Sequence, residues 1–290
     1  MADLKFLQRV KRVAVIALFS DDELMDKLVL KGGNLLDIVY EVSARASVDV
    51  DFSTPGEFDL AELKTRVENA LVSTFAEQRF VAFDISVQEK PEKISEDMKG
   101  FWGGYEVFFK IIDFDGHTRF GGRLEDIRRN AANIGKDGAT RFCIQISKFE
   151  YCEGKERHEL DGYTIYGYSP KLLVCEKIRA ICQQMPEYQA IVHSHPSARA
   201  RDFVDIDVVS RHFRIAFDSS DFKETITVVF AAKRVPLRLI GKIGETREFH
   251  AVGFPGLRDT VKENVVLEEF DAYVDRLVVN CRSLESLWNE

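Results

Sequence analysis

Two aspartates separated by one residue are the first candidates for chemistry in this chain. The segment Ser47–Phe52 alternates polar and apolar residues with the period of two that predicts a β-strand, which places Asp49 and Asp51 on one face. Two carboxylates leaving a strand in the same direction can both reach a Mg²⁺ ion, and a cation would relieve their mutual repulsion. An exposed strand face with two solvated aspartates would give the same pattern.

A pair of glycines precedes the aspartates by about one helix. Gly32 and Gly33 separate a short apolar strand from a helical segment, and the bare amides of such a turn can hold phosphate oxygens at a helix N-terminus. A Gly-Gly pair by itself is usually only a tight turn, and Lys31 beside it adds weak support. Together, the turn and the carboxylates predict a triphosphate bridged by metal ions to an acidic strand, the arrangement that phosphoryl and nucleotidyl transfer need.

Four segments in order resemble the motifs of the AbiEii/AbiGii-type nucleotidyltransferases, a family within the DNA polymerase β-like superfamily. Leu30–Leu36 and Arg45–Ser53 resemble the first two motifs, Glu176–Ile181 the third, and Arg199–Ile206 the fourth. The family contains toxins of bacterial toxin–antitoxin and phage-defence systems. The resemblance spans residues 30 to 206 and implies a nucleotidyltransferase fold.

The resemblance also implies a role for each matching residue. It assigns catalysis to Asp49, Asp51, Lys177 and Asp202, with the first two as ligands of Mg²⁺ or Mn²⁺. The nucleotide would be held by Gly32, Gly33, Asn34, Ser47 and Lys177, with Arg45, Arg201 and Asp205 in support. Judged without the family, Lys177 is a surface helix charge, and Arg201 and Asp205 are an i, i+4 ion pair.

The chain departs from the family pattern at two positions. Superfamily members commonly carry a third carboxylate on a later strand, whereas the strand predicted near Arg141–Tyr151 has Gln145 at its centre. Either the two aspartates suffice with a water, or another acid such as Glu150 contributes, or one metal site is weak. Gln184 stands where relatives often carry arginine, which puts one phosphate or base contact in doubt.

The resemblance implies an enzyme that transfers a nucleoside monophosphate from an NTP to an acceptor. The acceptor would be RNA, such as the 3′ end of tRNA, and a separate antitoxin would oppose the activity. Two other functions stay open. One is a regulatory protein that binds NTP without turnover, which Gln145 in place of a third carboxylate suggests, and the other is a transferase that modifies a protein hydroxyl. The mid-chain arginines and lysines could form a local RNA groove.

Composition restricts these alternatives further. The 290 residues are 45% hydrophobic, which is enough for a sizeable core, and the formal net charge of −8 argues against non-specific coating of nucleic acid. We expect a cytoplasmic protein with no membrane contact, because we find no uncharged run of about 18 apolar residues and no cleavable leader. The five cysteines show no metal-binding spacing and indicate reduced structural residues. His193 and His195, beside Pro196, are interpreted as part of an inter-helix loop with no catalytic role.

Two kinds of segment must position these residues. We expect an α+β fold, with a nucleotidyltransferase domain over residues 1–166, a mixed β-sheet flanked by helices, and a mainly helical domain over residues 167–290 that completes the cleft. The predicted strands lie near Leu28–Leu30, Ser47–Phe52, Phe80–Val87, Tyr105–Asp113 and Arg141–Tyr151, and beyond Tyr163–Tyr166 the chain is expected to be mainly helical. The predicted helices lie near Leu4–Ala17, after a Ser20–Glu23 capping box, and near Asn34–Glu41, Asp59–Phe75, Gly122–Asn133, Pro170–Met185, Arg201–Phe213, Phe222–Lys233 and Leu257–Trp288.

Overall fold

A seven-stranded mixed sheet forms the centre of the first half of the chain. The computed structural model describes residues 4–43, 49–134, 138–258, 261 and 265–288. The strands are β1 (Val29–Lys31), β2 (Val50–Ser53), β3 (Phe80–Lys90), β4 (Gly104–Asp113), β5 (Phe142–Ser147), β6 (Lys155–Leu160) and β7 (Tyr163–Tyr168). Their order is β3-β4-β5-β2-β1-β7-β6, with β1–β7 and β2–β5 parallel and the other pairs antiparallel.

Helices precede, interrupt and follow this sheet. They are α1 (Leu4–Phe19), α2 (Asp22–Lys27), α3 (Gly32–Asn34), α4 (Leu60–Glu77), α5 (Phe114–Phe120), α6 (Leu124–Arg129), α7 (Pro170–Cys182), α8 (Pro186–Val192), α9 (Ala200–His212), α10 (Ser220–Ala232), α11 (Arg247–Ala251), α12 (Phe254–Arg258) and α13 (Phe270–Cys281). Helix α3 continues as a π-helical turn over Leu35–Val39, and 3₁₀ segments cover Glu96–Met98, Leu237–Thr246 and Arg282–Leu287. None of the described helices has the length and apolar character to cross a membrane. The expected α+β class is confirmed.

The two faces of the sheet differ in burial near β5. Phe142, Ile144 and Ile146 of β5 are buried, whereas the alternate residues on the other face are half-buried. Helix α4 packs against the buried face, where Phe75 lies 5.5 Å from Phe109 of β4 between ring centroids. A strand with one face on the core shows this alternation, so β4 and β5 leave their second face open.

Helix α7 is the central element of the helical half. Ser169 caps it by accepting a hydrogen bond from the backbone N–H of Leu172, and Pro170 occupies its first position. The helix packs against α9 and α10, and ten of its thirteen residues are buried. A helix surrounded in this way is a core element. The last strand ends at Tyr168, and the division at residues 166 and 167 stays a prediction.

Several predicted elements differ from the observed ones. Asp21, not Ser20, caps α2, and Asn34 does not cap a helix but lies inside the α3–π turn. The predicted Gly122–Asn133 helix is instead the short α6, preceded by α5 and separated from it by Gly121 and Gly122, both with positive φ. The predicted helix Leu257–Trp288 is broken into α12, α13 and a 3₁₀ turn.

Candidate functional site

The two aspartates lie at the start of β2, in the centre of the sheet. Asp51 pairs with Lys31 of β1 on one side and with Gln145 of β5 on the other. Burial raises the pKa of Asp51 to about 6, and the neighbouring Asp49 and Glu176 add to this rise against the opposing charge of Lys31. The pKa of Asp49 is also raised, first by burial. The carboxylates are therefore short of compensating positive charge.

The absence of a side chain at Gly32 leaves room for the carboxylate of Asp51. Its backbone has a φ of +71°, and a Cβ at this position would lie 2.6 Å from Asp51 Oδ2. Both the positive φ and the close approach exclude a side chain. The glycine turn and the acidic strand are thus packed directly against each other.

One cleft of about 530 Å³ collects most of the predicted site residues. It is lined by Lys31, Gly32, Gly33, Asp49, Asp51, Gln145, Ser147, Glu176, Lys177, Ala198, Arg199, Arg201, Asp202 and Gly253. The first seven belong to β1, β2, β5 and the segments joined to these strands, and the last seven belong to the helical half. The cleft therefore lies between the two halves of the chain.

Asn34 is the predicted nucleotide ligand that the structure places elsewhere. Its side chain is fully buried, and its amide donates a hydrogen bond to the backbone carbonyl of Asp49. It does not line the cleft. Its contact with the Asp49 carbonyl instead positions the acidic segment from outside the cleft. Arg45 and Ser47 lie outside the described residues.

Lys177 is a buried cation, not the surface charge that spacing alone indicates. Its Nζ lies 2.8 Å from Asp202 Oδ1 and 2.9 Å from Asp205 Oδ2, and only 4% of the residue is exposed. Asp205 therefore pairs across helices with Lys177, and the expected i, i+4 pair with Arg201 is wrong. Helices α7 and α9 bring the third and fourth motifs together at this point.

Two arginines bring positive charge to the helical wall of the cleft. Arg199 Nε lies 3.1 Å from Asp202 Oδ2. Arg201 is exposed, and the described part of the chain offers it no carboxylate within 4 Å, while its charge acts to lower the pKa of Asp49 across the cleft. Arg201 is therefore available to an anionic ligand.

Gln145 lies between two carboxylates on the open face of the sheet. It pairs with Asp51 on β2 and with Glu106 on β4. Glu106 is buried and paired with Lys90, and Gln88 Nε2 donates to it at 3.3 Å. Glu106 was not predicted from the sequence, although the alternation of β4 places it on the same face as Phe108 and Lys110.

Glu150 belongs to a separate ion cluster, so the suggestion that it supplies the third metal-binding carboxylate is wrong. Arg179 of α7 binds it through two hydrogen bonds of 2.6 and 3.1 Å, and Lys31 and Lys233 lie 3.6 and 3.7 Å away. Burial opposes its charge, but these three cations together lower the pKa of Glu150 well below its usual value. Arg179 and Lys233 were missed because nothing in a single helix sequence marks a buried partner.

A second cavity of about 630 Å³ adjoins the first and shares five lining residues with it. Its walls include Trp102, Glu106, His193, His195 and Lys233. The loop with the two histidines thus borders the cleft. The largest of the described cavities, about 830 Å³, lies apart from the aspartates, between the segment after β5 and the N-terminal ends of α7 and α10.

The donor set restricts the kind of metal that could bind. Among the described residues, no group of three or more His, Cys, Asp or Glu side chains could hold a metal ion. Two carboxylates on one strand remain, which fits Mg²⁺, because this ion keeps several waters and binds through one or two carboxylates plus substrate phosphates. The five cysteines are free thiols, and Cys175 and Cys182 are buried in α7.

The comparisons with known proteins agree with this geometry. Residues 15–276 match the family described as "Nucleotidyl transferase AbiEii toxin, Type IV TA system". JHP933 from Helicobacter pylori shares the fold at 14% identity and a TM-score of 0.50, with 100% of this chain and 96% of that chain covered. Another H. pylori protein, described as a candidate nucleotidyltransferase, gives the same identity and score with 100% and 98% covered.

A more distant structure is an antigenic nucleotidyltransferase-like protein from Paracoccidioides brasiliensis, with 12% identity, a TM-score of 0.36, and 90% of this chain and 96% of that chain covered. The chain matches no curated protein sequence. The family match covers nearly the whole chain and includes all the described cleft residues. The chain belongs to the AbiEii nucleotidyltransferase toxin family of type IV toxin–antitoxin systems.

Proposed function

We propose that the chain transfers a nucleoside monophosphate from an NTP to an acceptor hydroxyl, with Mg²⁺ or Mn²⁺ as cofactor. The observation that carries the proposal is the convergence of Asp49, Asp51 and the Gly32-Gly33 turn in one cleft that faces Arg201. These are a pair of undercompensated carboxylates, a set of backbone amides and an exposed cation. A triphosphate with its metal ions complements all three.

Asp49 and Asp51 would hold the metal. The ion would neutralise the nucleotide phosphates and favour ionisation of the acceptor hydroxyl. Gln145 could offer only a neutral amide oxygen beside Asp51, so the two aspartates carry the charge of the site. Burial raises the pKa values of both aspartates, and a bound cation would lower them by supplying the missing positive charge.

The chain's own residues would hold and orient the triphosphate. The amides of Gly32 and Gly33 would bind the β- and γ-phosphate oxygens, and Lys177 and Arg201 would add positive charge from the helical wall. The acceptor oxygen would then form a bond to the α-phosphorus while the bond to the bridging oxygen breaks and pyrophosphate leaves. Asp202 would keep the ammonium of Lys177 in place, since the two lie 2.8 Å apart.

The biological role proposed is that of a toxin acting in the cytoplasm. The acceptor would be the 3′ end of tRNA, a cognate antitoxin would oppose the activity, and the pair would serve phage defence. The description of the family as a type IV toxin–antitoxin system supports the antitoxin partner. A neighbouring antitoxin gene would support the same conclusion.

A second candidate is NTP binding without turnover. The observation that favours it is Gln145, which stands in the sheet where a third carboxylate would be expected. Only two carboxylates then hold the metal, and a weak metal site would bind nucleotide more readily than it would catalyse.

Incubation of the purified protein with each α-labelled NTP, Mg²⁺ and total cellular RNA or lysate tests the proposal. Label in tRNA supports RNA transfer, label in protein indicates modification of a protein hydroxyl, and tight NTP binding without transfer supports the second candidate. Asp49→Asn should abolish labelling. Asp218→Asn is the matched control, because Asp218 is exposed and does not line the cleft. Equal labelling by the Asp49→Asn variant and wild type would refute the metal assignment.

A further inference from the structure

The open face of the sheet continues from the aspartates towards the β3 edge. Val50 of β2 pairs with Ile144 of β5, so the preceding Asp49 lies beside Cys143. Cys143 in turn pairs with Phe108 of β4. All three side chains share the face that α4 does not cover, and Cys143 and Phe108 are half-buried. Phe108 is two strand spacings, about 10 Å, from the Asp49 position.

Arg141 forms a flat stacking surface on this face. Its guanidinium carbon lies 3.6 Å from the centroid of the Phe108 ring, and the residue is exposed. Within the described residues, no carboxylate lies within 4 Å of Arg141. Arginine planes and aromatic rings are the surfaces on which unpaired bases stack. We call Phe108, Arg141 and Cys143 the sheet platform.

The charges around the sheet platform suit a phosphate backbone. Arg201 acts on Asp49 from the helical side, and Arg141 lies over Phe108 on the sheet side. Among the described residues, neither arginine has a carboxylate within 4 Å. Lys110, two residues beyond Phe108 on β4, lies 3.1 Å from Asp84, which also binds Arg128 at 2.8 Å. Arg128 also pairs with Glu125 at 3.0 Å, so two cations and two acids balance at the far end of the surface.

We propose that the sheet platform binds the single-stranded 3′ end of a nucleic-acid acceptor, with a base stacked on the Arg141 guanidinium and the terminal hydroxyl directed to Asp49. The proposal rests on the function proposed above, and it names the surface that receives the acceptor. The spacing of about 10 Å would seat the stacked base one or two nucleotides from the reacting end. Every nucleotide of a single-stranded end carries a planar base that can stack on this surface, whereas only some residues of a protein acceptor carry a planar group.

Fluorescence anisotropy with a labelled single-stranded RNA of about ten nucleotides, in Mg²⁺ and without NTP, tests the proposal. Arg141→Ala should weaken RNA binding by about tenfold, since a stacked base contributes on the order of 1–3 kcal/mol. Arg141→Lys keeps the charge without the plane and should fall between Arg141→Ala and wild type. Arg9→Ala is the control, because Arg9 also lies over an aromatic ring, that of Phe80, at 5.3 Å, but belongs to α1, which packs against α4 and not on the open face of the sheet.

Binding of a fluorescent NTP should be the same in wild type and Arg141→Ala, which separates the platform from the nucleotide site. If the protein transfers no label to any acceptor but RNA binding still depends on Arg141, the proposed function fails and the platform stands. If Arg141→Ala binds RNA as wild type does, or if label enters protein and the variant leaves that transfer unchanged, the platform proposal is overturned. Phe108→Leu, which keeps the apolar volume, should weaken RNA binding without changing NTP binding.

Discussion

The half-buried Asp51 and the buried Glu150 are two carboxylates near the same lysine, yet they are compensated very differently. Lys31 lies opposite Asp51 in the β1–β2 strand register, and its Nζ lies 3.6 Å from Glu150 Oε1. Glu150 also receives two hydrogen bonds from Arg179, and its pKa is lowered, whereas burial raises the pKa of Asp51. The charge of Glu150 is compensated by neighbouring side chains, whereas the charge of Asp51 is available to a bound ligand. This contrast supports the proposal that Glu150 is a structural acid and Asp51 a functional one.

Loss of the arginine that pairs with Glu150 should have the largest effect. Arg179→Met leaves a buried carboxylate without its main partner, and we expect it to lower the free energy of unfolding by about 3–5 kcal/mol in urea denaturation. Arg276→Met is the control, because Arg276 is one-third exposed in its pairs with Asp207 and Glu268, and it should cost about 0–1 kcal/mol. Equal losses in the two variants would show that burial does not distinguish these pairs.

The opposite result is expected for the functional acid. Asp51→Asn should reduce nucleotidyl transfer by at least about 100-fold, because the metal loses a charged ligand. The same variant should unfold at a urea concentration equal to or above that of wild type, since it removes a half-buried charge that lacks full compensation. A large loss of stability in Asp51→Asn would place Asp51 with Glu150 among the structural acids.

The glycine beside Asp51 should link the two kinds of effect. Gly32→Ala forces a Cβ towards Asp51 Oδ2 and places alanine at a φ of +71°, so we expect a loss of about 1–2 kcal/mol in stability. Metal affinity measured by calorimetry should fall as well, because the carboxylate must move. Gly56→Ala is the control, since a Cβ there would meet no atom within 4 Å and its φ lies outside the positive region. Unchanged metal affinity in Gly32→Ala would argue against Asp51 as a ligand.

The last effect is a difference in pH dependence. The pKa of Asp51 is raised to about 6 in the folded chain, so the folded state holds its proton longer, and stability falls as pH rises from about 4 to 6. The pKa of Glu150 is lowered, so its contribution has the opposite sign and is lost as pH falls below about 4.5. In urea denaturation without metal, the stability of Asp51→Asn relative to wild type should rise between pH 4 and 7. A constant difference would contradict the raised pKa.

The sequence predicts one of these acids far better than the other. Asp49, Asp51 and Gly32 lie in short segments whose period and turn chemistry are local, and the structure brings them together in one cleft. The pair Glu150–Arg179 joins a residue after β5 to a helix 29 positions later, and no periodicity encodes such a contact. Tertiary packing alone brings these two charges together.

The missed fold elements have similar causes. Strand β6, with the sequence Lys155–Leu160, is an edge strand whose outer residues are mostly exposed, so burial imposes no apolar alternation on it. Asn34 was expected as a helix cap and phosphate ligand because its type suits both. Its amide instead binds the Asp49 carbonyl, a contact that depends on how two separate segments meet.

The ion cluster around Glu150 has a consequence for how substrates reach the site. Its members come from both halves of the chain, with Lys31 on β1 and Glu150 after β5 on one side, and Glu176, Arg179 and Lys233 on the other. A hinge motion that opened the cleft would separate these buried ion pairs, at a free-energy cost of several kcal/mol. These ion pairs oppose opening of the cleft, and we expect substrates to enter along the uncovered strands.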